Sequence, residues 1–272
     1  MNEYFEIGGI KINNFDYSDV LERIQNAISE KTKVQIITVN PEIIVNAFKN
    51  KGFYDLLKNA EIRTADGIGI VWASDYLSKT PKKGQISRLL QFISSFKSIL
   101  LPKNRNVRVT GTDLLPEIAG FSQNKGWKIF LLGAREGIAE IASKNLQNRF
   151  PNAIISGFHS GSPDEKSDNE ICRIIDNANP DILLVAYGSP KQEFWINRNL
   201  NKLNSVKVAI GVGGAFDFHS GKIKRAPNWM RKIGLEWLWR LILQPNRIKR
   251  IWNATFVFMR LMWREKNKKA VQ

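Results

Sequence analysis

One carboxylate in the chain is placed where acid–base chemistry could take place. Asp66 stands between Ala65 and Gly67 in an apolar stretch. The glycine allows a ligand to approach the backbone closely, and an aspartate in this setting is a candidate general base. The spacing leaves a second interpretation open, because Asp66 could instead cap a helix predicted over residues 67–77.

Polar side chains that could hold a sugar or a phosphate lie in three other segments. Thr38 and Asn40 offer a hydroxyl and an amide where a strand gives way to a helix N-terminus, although Asn40 could simply cap that helix. Arg108 precedes a Gly/Thr turn, and the planar fork of arginine suits phosphate; a surface arginine is the alternative. Gln192 lies in the first turn of a helix that Pro190 would start, and its amide could bind a sugar or a base.

Other kinds of site are disfavoured by what the sequence lacks. It has no D-x-D pair to hold a divalent cation under a diphosphate, only two histidines and one cysteine. No metal site and no internal disulfide are therefore expected. Residues 133–137 follow a predicted strand but lack the full G-x-G-x-x-G spacing, so they are a weak signal for a dinucleotide. We predict no cofactor.

Predicted strands and helices alternate along the chain. Apolar strands are predicted at Val34–Val39, 128–132, 153–157, 181–186 and 206–212. Amphipathic helices are predicted at 41–50, 67–77, 113–123, 138–150, Asp168–Ala178 and 191–203. This alternation predicts an α/β fold with a Rossmann-like, mostly parallel sheet that carries helices on both faces. Ligands of such sheets bind beyond the carboxyl ends of the strands, where the polar residues described above are placed.

The positive charge of the chain is concentrated in two segments. The formal net charge is +16, and residues 222–272 hold 14 Lys or Arg against 2 Glu. Residues 79–108 hold 8 Lys or Arg and no acidic residue, so the remainder of the chain is mildly acidic. Charge localised in this way indicates surfaces that dock on polyanions.

These segments divide the chain into a core over 1–220, with a basic insert at about 79–105, and a helical appendage over 221–272. The appendage holds five of the eight tryptophans and is predicted as two helices that separate near Pro245. Helical spacing places eight of its residues on one apolar face: Ile248, Ile251, Trp252, Thr255, Phe256, Met259, Met262 and Trp263. We expect this face and its cations to dock on an anionic membrane; packing on the core or on a second subunit is the alternative. No apolar run of membrane-spanning length and no signal peptide are found.

An ordered set of motifs across nearly the whole chain resembles the WecG/TagA/CpsF glycosyltransferase family. The motifs are Thr38-Val39-Asn40-Pro41-Glu42, Ala65-Asp66-Gly67, Arg108-Val109-Thr110-Gly111-Thr112-Asp113-Leu114, Gly188-Ser189-Pro190-Lys191-Gln192-Glu193, Gly211-Val212-Gly213-Gly214-Ala215-Phe216-Asp217-Phe218, Lys224-Arg225-Ala226-Pro227 and Gly234-Leu235-Glu236-Trp237-Leu238-Trp239-Arg240.

The resemblance implies an inverting, metal-independent transferase at the cytoplasmic face of the cell membrane. Its members move N-acetylmannosamine or a related sugar from UDP to undecaprenyl-diphosphate-linked N-acetylglucosamine, as in teichoic-acid synthesis. A donor such as UDP-glucose or a UDP-uronic acid is the alternative within the family, and homo-oligomerisation is left open.

The resemblance also implies a role for each site residue. Asp66 would be the base, Thr38 and Asn40 would line the sugar pocket, Arg108 would bind the diphosphate, and Gln192 would contact the donor. Three appendage arginines would complete the site: Arg240, Arg247 and Arg250.

Two other function classes compete with this interpretation. A nucleic-acid binder is compatible with the charge and the aromatic residues, but the basic residues lie in apolar helices without a nucleic-acid motif. A nicotinamide-dependent oxidoreductase is disfavoured by the poor glycine pattern. We therefore expect the partners to be a UDP-sugar, a lipid-linked acceptor and an anionic membrane surface, and not nucleic acid.

Overall fold

A mostly parallel sheet forms the centre of the molecule. The computed structural model describes residues 3–97, 108–232 and 234–268. The described strands are β1 (Tyr4–Ile7), β2 (Ile10–Asn13), β3 (Val34–Val39), β4 (Ile62–Ala65), β5 (Lys128–Gly133), β6 (Ile154–His159), β7 (Ile182–Ala186) and β8 (Val208–Gly211). They join in the order β1-β2-β4-β3-β8-β7-β5-β6. Only the β1–β2 hairpin pairs antiparallel among them, so the predicted mostly parallel sheet is confirmed.

Alternate residues of the central strands belong to two separate hydrophobic cores, because successive side chains of a strand point to opposite faces. In β7, Ile182 and Leu184 belong to the core on one face. Leu183 and Val185 belong to the core on the other. Every residue of β7 is buried, as expected of a strand covered on both sides.

Helices cover both faces of the sheet, as the alternation predicts. The helices are α1 (Tyr17–Ser29), α2 (Pro41–Lys49), α3 (Lys51–Asn59), α4 (Ile68–Ser78), α5 (Gln85–Ser95), α6 (Gly111–Ser122), α7 (Ile138–Arg149), α8 (Asp168–Ala178), α9 (Lys191–Asn199), α10 (Ala215–His219), α11 (Asn228–Lys232), α12 (Glu236–Leu243), α13 (Ile248–Trp252) and α14 (Phe258–Lys268). One core is closed by α1, α6, α7 and α10. The opposite face is covered by α2, α3 and α4, and further along the sheet by α8 and α9.

The basic insert is described as far as residue 97, and its remainder, 98–105, lies outside the described residues. Phe92 of α5 and Phe96, which follows it, pack on residues of two other helices. The ring of Phe96 stacks on Trp72 at 5.0 Å, and Phe92 meets Trp263 edge-on at 5.4 Å. The insert is thereby fastened to α4 and to α14.

The appendage separates near Pro245, as predicted, where the turn Pro245–Arg247 joins α12 to α13. A π-helical turn, Asn253–Val257, continues α13 into α14. The apolar face predicted as one surface is divided. Met262 is buried in the core of α2 and α4, whereas Ile248, Trp252 and Phe256 are exposed. The first half of the predicted face is therefore a surface, and the second half packs on the body.

None of the helices among the described residues is both long enough and apolar enough to cross a membrane.

Candidate active site

A cavity of about 1050 Å³ lies at the carboxyl edge of the sheet, between the strand ends and the appendage. Its floor comes from segments that follow β3, β4, β7 and β8, and its roof comes from α12, α13 and the π-helical turn. All eight residues singled out in the sequence line it: Thr38, Asn40, Asp66, Arg108, Gln192, Arg240, Arg247 and Arg250.

Asp66 is held at the floor by the sheet. Its backbone N–H donates to the carbonyl of Val39 at 2.8 Å. The alternative interpretation, that Asp66 caps the following helix, is wrong. The N-cap of α4 is Gly67, whose φ of 92° is left-handed, and no side chain caps that helix. The carboxylate is therefore not used by the helix and remains available to the cavity.

Burial and two nearby arginines have opposite effects on the pKa of Asp66. Desolvation raises the pKa of this carboxyl to about 7, and the positive charges of Arg108 and Arg240 oppose the rise. The bridge between Ala65 and Arg108 brings that arginine to the cavity, because the Val109 N–H donates to the Ala65 carbonyl at 2.9 Å. A carboxylate with a pKa near 7 can accept a proton at neutral pH.

Thr38 and Asn40 both have structural bonds within the floor. The Thr38 hydroxyl donates to the carbonyl of Gly211 at 3.1 Å and so ties β3 to β8. The Asn40 side-chain oxygen accepts from the Ile43 N–H at 3.0 Å, which confirms that Asn40 caps α2. The cap uses the amide oxygen only, so the amide nitrogen can still donate to a ligand.

Gln192 joins two loops at the cavity edge. Its side-chain oxygen accepts from the N–H groups of Gly188 and Gly213, at 3.1 and 3.0 Å. Its nitrogen donates to Glu193 at 2.8 Å. The side chain is only 3% exposed. The amide therefore fixes the loops after β7 and β8. These hydrogen bonds use one of the two N–H groups of the Gln192 nitrogen.

Glu193 is a buried carboxylate that the sequence analysis quoted in a motif without assigning it a role. Burial raises its pKa to about 7, while the hydrogen bond from Gln192 works in the other direction. Its backbone carbonyl accepts from the Gln35 amide at 3.1 Å, across the face of β3. Glu193 thus holds the side chain of Gln192 in place by accepting its hydrogen bond. The spacing of residues in the sequence could not predict this contact.

Two appendage arginines converge on the glycine turn after β8. A Cβ atom built on Gly214 would stand 3.9 Å from an Nη2 atom of both Arg240 and Arg247, and 3.6 Å from the Oδ2 atom of Asp217. Burial and the nearby Arg247 lower the pKa of Arg240 to about 10. Arg240 also lies over the ring of Phe218 at 4.4 Å. Two guanidinium groups brought together in this way favour an anion between them.

Arg250 has a different environment from the other two arginines. It forms a forked ion pair with the carboxylate of Glu42, with an Nη2–Oε2 distance of 2.8 Å. Because Glu42 lies in the first turn of α2, this pair fastens the start of α13 to the core. The two residues are 208 positions apart, so no local pattern indicates the pair.

A second ion-pair network fixes α12. Arg225 lies 3.0 Å from Asp113, in the first turn of α6, and 3.0 Å from Glu236, in the first turn of α12. Thr110 caps α6 by accepting from the Asp113 N–H at 3.1 Å. The two motifs that hold Arg225 and Glu236 therefore support the helix that carries Arg240.

One wall of the cavity is apolar, and the sequence analysis did not anticipate it. Large side chains from α4, the insert and the appendage form this wall: Trp72, Phe96, Trp237, Leu241, Ile251 and Phe258. The wall comes from three segments that are distant in the sequence, so no local pattern could reveal it. The cavity consequently combines the carboxylate of Asp66 and several arginines with an apolar wall.

A smaller cavity of about 590 Å³ adjoins the first and shares Arg135, Asp217, Arg247 and Arg250 with it. Its other charged lining residues are Lys222 and Lys224. The motifs at 211–218 and 224–227 both contribute to this largely positive region. Within the ranges 3–97, 108–232 and 234–268, no group of three or more His, Cys, Asp or Glu residues is placed to hold a metal ion.

Comparison with known proteins identifies the family. The sequence model of the "Glycosyl transferase WecG/TagA/CpsF family" matches residues 5–97 and 91–272. A Bacillus subtilis (strain 168) relative, N-acetylglucosaminyldiphosphoundecaprenol N-acetyl-beta-D-mannosaminyltransferase, is 33% identical over 261 residues, covering 96% of this chain and 90% of the relative. A Staphylococcus aureus (strain MRSA252) protein of the same name is 32% identical over 243 residues, or 88% of this chain and 85% of that protein. The chain therefore belongs to the WecG/TagA/CpsF family of glycosyl transferases.

Proposed function

We propose that this protein transfers N-acetylmannosamine from UDP to N-acetylglucosaminyl-diphosphoundecaprenol, in the synthesis of teichoic acid or a related surface polymer. The observation that carries the proposal is the placement of Asp66 in one cavity with several arginines and an apolar wall. Both substrates carry a diphosphate, and the acceptor also carries a polyprenyl chain. The names of the Bacillus and Staphylococcus relatives support the choice of acceptor and sugar.

In this proposal Asp66 acts as the general base. The acceptor hydroxyl gives its proton to the Asp66 carboxylate while its oxygen bonds to the anomeric carbon of the donor sugar. The bond from that carbon to the UDP oxygen breaks on the opposite side, so the configuration inverts. A pKa of about 7 suits the carboxylate to this step, because a base works best when its pKa lies near the working pH.

The leaving diphosphate is stabilised by arginines, without a metal ion. Arg240 and Arg247 converge at Gly214, and Arg108 stands close enough to Asp66 to influence its ionisation. Guanidinium groups placed where negative charge develops lower the barrier of the transfer. Thr38 and Asn40 line the sugar pocket, and Gln192 shapes its edge and contacts the donor.

We also propose that the appendage, 221–272, docks the enzyme as a peripheral protein on the inner face of the cell membrane and closes the site over 1–220. Exposed aromatic and aliphatic side chains support this role: Trp229, Trp237, Ile248, Trp252 and Phe256. Such residues suit the headgroup region of a bilayer, and the net +12 of residues 222–272 attracts anionic lipid.

The test is a transfer assay with the purified chain and a short-chain polyprenyl-diphosphate acceptor. UDP-N-acetylmannosamine, UDP-N-acetylglucosamine, UDP-glucose and UDP-glucuronic acid are compared, each with and without excess EDTA. We expect transfer from UDP-N-acetylmannosamine to dominate and to continue in EDTA. A preference for UDP-glucose or UDP-glucuronic acid would replace the proposed donor, and activity that Mg²⁺ or Mn²⁺ restores after EDTA would contradict the metal-free mechanism.

A further inference from the structure

The outward face of α5 is an apolar surface that the proposed reaction does not use. Its four large aliphatic side chains are Ile86, Leu89, Leu90 and Ile93, and they are 78%, 51%, 60% and 57% exposed. Their spacing, i, i+3, i+4 and i+7, puts them on one face of the helix. Large aliphatic residues clustered in this way mark a surface that is covered in the working state of a protein.

The surroundings of this face are cationic. Lys82 and Lys83 precede α5, Lys97 follows it, and all three are exposed. No acidic residue occurs anywhere in 79–108. An apolar helix face flanked by lysines is the arrangement of helices that lie in the interface of an anionic bilayer.

The inner face of α5 fixes the helix next to the apolar wall of the large cavity. Ser95 accepts a hydrogen bond from the indole N–H of Trp72 at 2.9 Å, and Phe96 stacks on the same indole. Trp72 and Phe96 both line the cavity. Arg88 extends the attachment by donating to Asn267 of α14 at 3.3 Å. The exposed face of α5 is therefore held on the same structure that forms the wall.

We propose that α5 inserts its outward face, Ile86, Leu89, Leu90 and Ile93, into an anionic phospholipid bilayer as a docking element distinct from the appendage. Contact with lipid at this point brings the apolar wall of the cavity to the bilayer surface. This role for the apolar wall rests on the proposed function, because only a lipid-linked acceptor has to pass from the bilayer into the cavity. The binding itself does not depend on the reaction.

A second copy of the chain is a poorer occupant of this face. A two-fold interface would bring the lysines of one copy close to the same lysines of the other, because such an interface pairs one patch with itself. Like charges placed opposite each other oppose association, whereas an anionic headgroup layer neutralises them.

The first test is flotation of the full chain with vesicles of phosphatidylglycerol and phosphatidylcholine. The double variant Leu89→Ser, Ile93→Ser removes two apolar side chains and is expected to lower the partition coefficient by about tenfold or more. The matched control is Ile141→Ser on α7, a side chain that is 46% exposed on another helix. We expect the control to bind like the wild type. Equal binding by the wild type and the double variant would overturn the proposal.

The second test reports insertion directly. In a Cys172→Ser background, Leu90→Cys carries the environment-sensitive label NBD, and Ile141→Cys carries it as the control. We expect the label at position 90 alone to shift to the blue and brighten when anionic vesicles are added. A label at position 90 that keeps its aqueous spectrum on vesicle-bound protein would mean that the appendage docks the chain without α5.

Two further measurements separate the inference from its alternatives. Light scattering of the wild type and the double variant should give the same molecular mass; a dimer that the two serines dissociate would make the face a subunit interface and overturn the proposal. The double variant should keep wild-type turnover with a short, water-soluble acceptor and lose it with acceptor held in vesicles. Absence of transfer in every variant, with insertion intact, would contradict the proposed function and leave the inference standing.

Discussion

At the residue scale, the behaviour of Asp66 depends on a balance between burial and charge. Burial favours the neutral carboxyl, and Arg108 and Arg240 favour the carboxylate. If both arginines were absent, the aspartate would be protonated over more of the neutral range and would be a poorer base. The arginines therefore serve the proton acceptor as well as the leaving group.

We predict that Asp66→Asn lowers turnover by about 10²–10⁴-fold while UDP affinity changes little, since a positioned base has about that effect. In the wild type, kcat/KM should rise with pH through about 7 and level off above it, because the carboxylate must be ionised to accept a proton. Steady-state kinetics of both proteins across this range is the measurement. Turnover within a few-fold of the wild type would exclude Asp66 as the base.

The same raised pKa predicts a change in stability. A carboxyl whose pKa is higher in the folded state adds stability at low pH, and this stability is lost as pH rises through about 7. Asp66→Asn cannot ionise, so its unfolding free energy relative to the wild type should be greater at about pH 8 than at about pH 5.5. Urea unfolding of the two proteins at both pH values tests the sign, and an equal difference at both would contradict the raised pKa.

Arg247 is predicted to act on the leaving diphosphate. Arg247→Ala should lower kcat/KM by about 10²-fold, as expected when one group that stabilises developing charge is removed. Lys249→Ala is the matched control, because Lys249 is an exposed cation in the same segment. Loss of activity in the control alone, or in neither variant, would show that the diphosphate is held elsewhere.

At the scale of elements, the strands of continuous apolar pattern were predictable, the four-residue β8 among them, whereas β1, β2 and β4 were missed. Strands β3 and β7 appear in the sequence as β-branched or aliphatic runs. The four-residue strand β4 was missed because Arg63 interrupts its apolar pattern. Arg63 is nevertheless buried, and backbone carbonyls surround it: its guanidinium donates to those of Lys11, Leu57, Lys58 and Ala60. Only the tertiary structure supplies those acceptors.

The candidate site was predictable where it follows strand ends and unpredictable where distant segments meet. Asn40 and Gln192 could be located from the rule that ligands bind beyond parallel strands, and Asp66 from its place beside a glycine in an apolar stretch. The pairing of Glu42 with Arg250 and the stacking of Phe96 on Trp72 could not. Both depend on how the insert and the appendage fold back over the core.

The ion pair between Glu42 and Arg250 gives a prediction about closure of the cavity. Glu42→Gln should raise KM for the donor a few-fold at low ionic strength, because the start of α13 is held less firmly. Global stability should change little, since a pair with an Arg250 side chain 46% exposed contributes about 0–1 kcal/mol. At high salt the two proteins should converge.

Comparing Glu42→Gln with Arg250→Gln shows whether Arg250 only holds α13 on the core or also contacts a substrate. Equal effects of Glu42→Gln and Arg250→Gln, with no further loss in the double variant, would mean that Arg250 acts through Glu42. A larger effect of Arg250→Gln would mean that Arg250 also contacts a substrate. A Glu42→Gln enzyme that matches the wild type at all salt concentrations would contradict the fastening role.

At the scale of the whole molecule, the appendage is part of the hydrophobic core as well as a cover for the cavity. Phe258 and Met262 of α14 are buried among side chains of α2 and α4. Lys266, also buried, donates to the carbonyl of Tyr76 in α4. The apolar contacts of α14 therefore link the position of the appendage arginines to the stability of the body.

We predict that Met262→Ala lowers the free energy of unfolding by about 2–5 kcal/mol, the usual range for a buried methionine cut to alanine. Urea unfolding monitored by circular dichroism measures the loss. Met259→Ala, on a partly exposed side chain of the same helix, should cost less. Equal, small losses for both variants would contradict the packing of α14 in the core.

The separation of the arginines of the cavity from its apolar wall has a consequence for how specificity can change. The floor belongs to loops after the strands, Arg240 and Arg247 belong to the appendage, and the apolar wall is built by α4, the insert and the appendage together. In the functional interpretation proposed above, the floor and the arginines handle the nucleotide-sugar, and the apolar wall handles the lipid-linked acceptor. Homologous enzymes then diverge in one preference while retaining the other. A chimera that receives only the apolar wall side chains of a relative should acquire the acceptor preference of that relative and keep its own donor, provided that Arg240, Arg247 and the ion pairs of Glu42 and Arg225 are preserved.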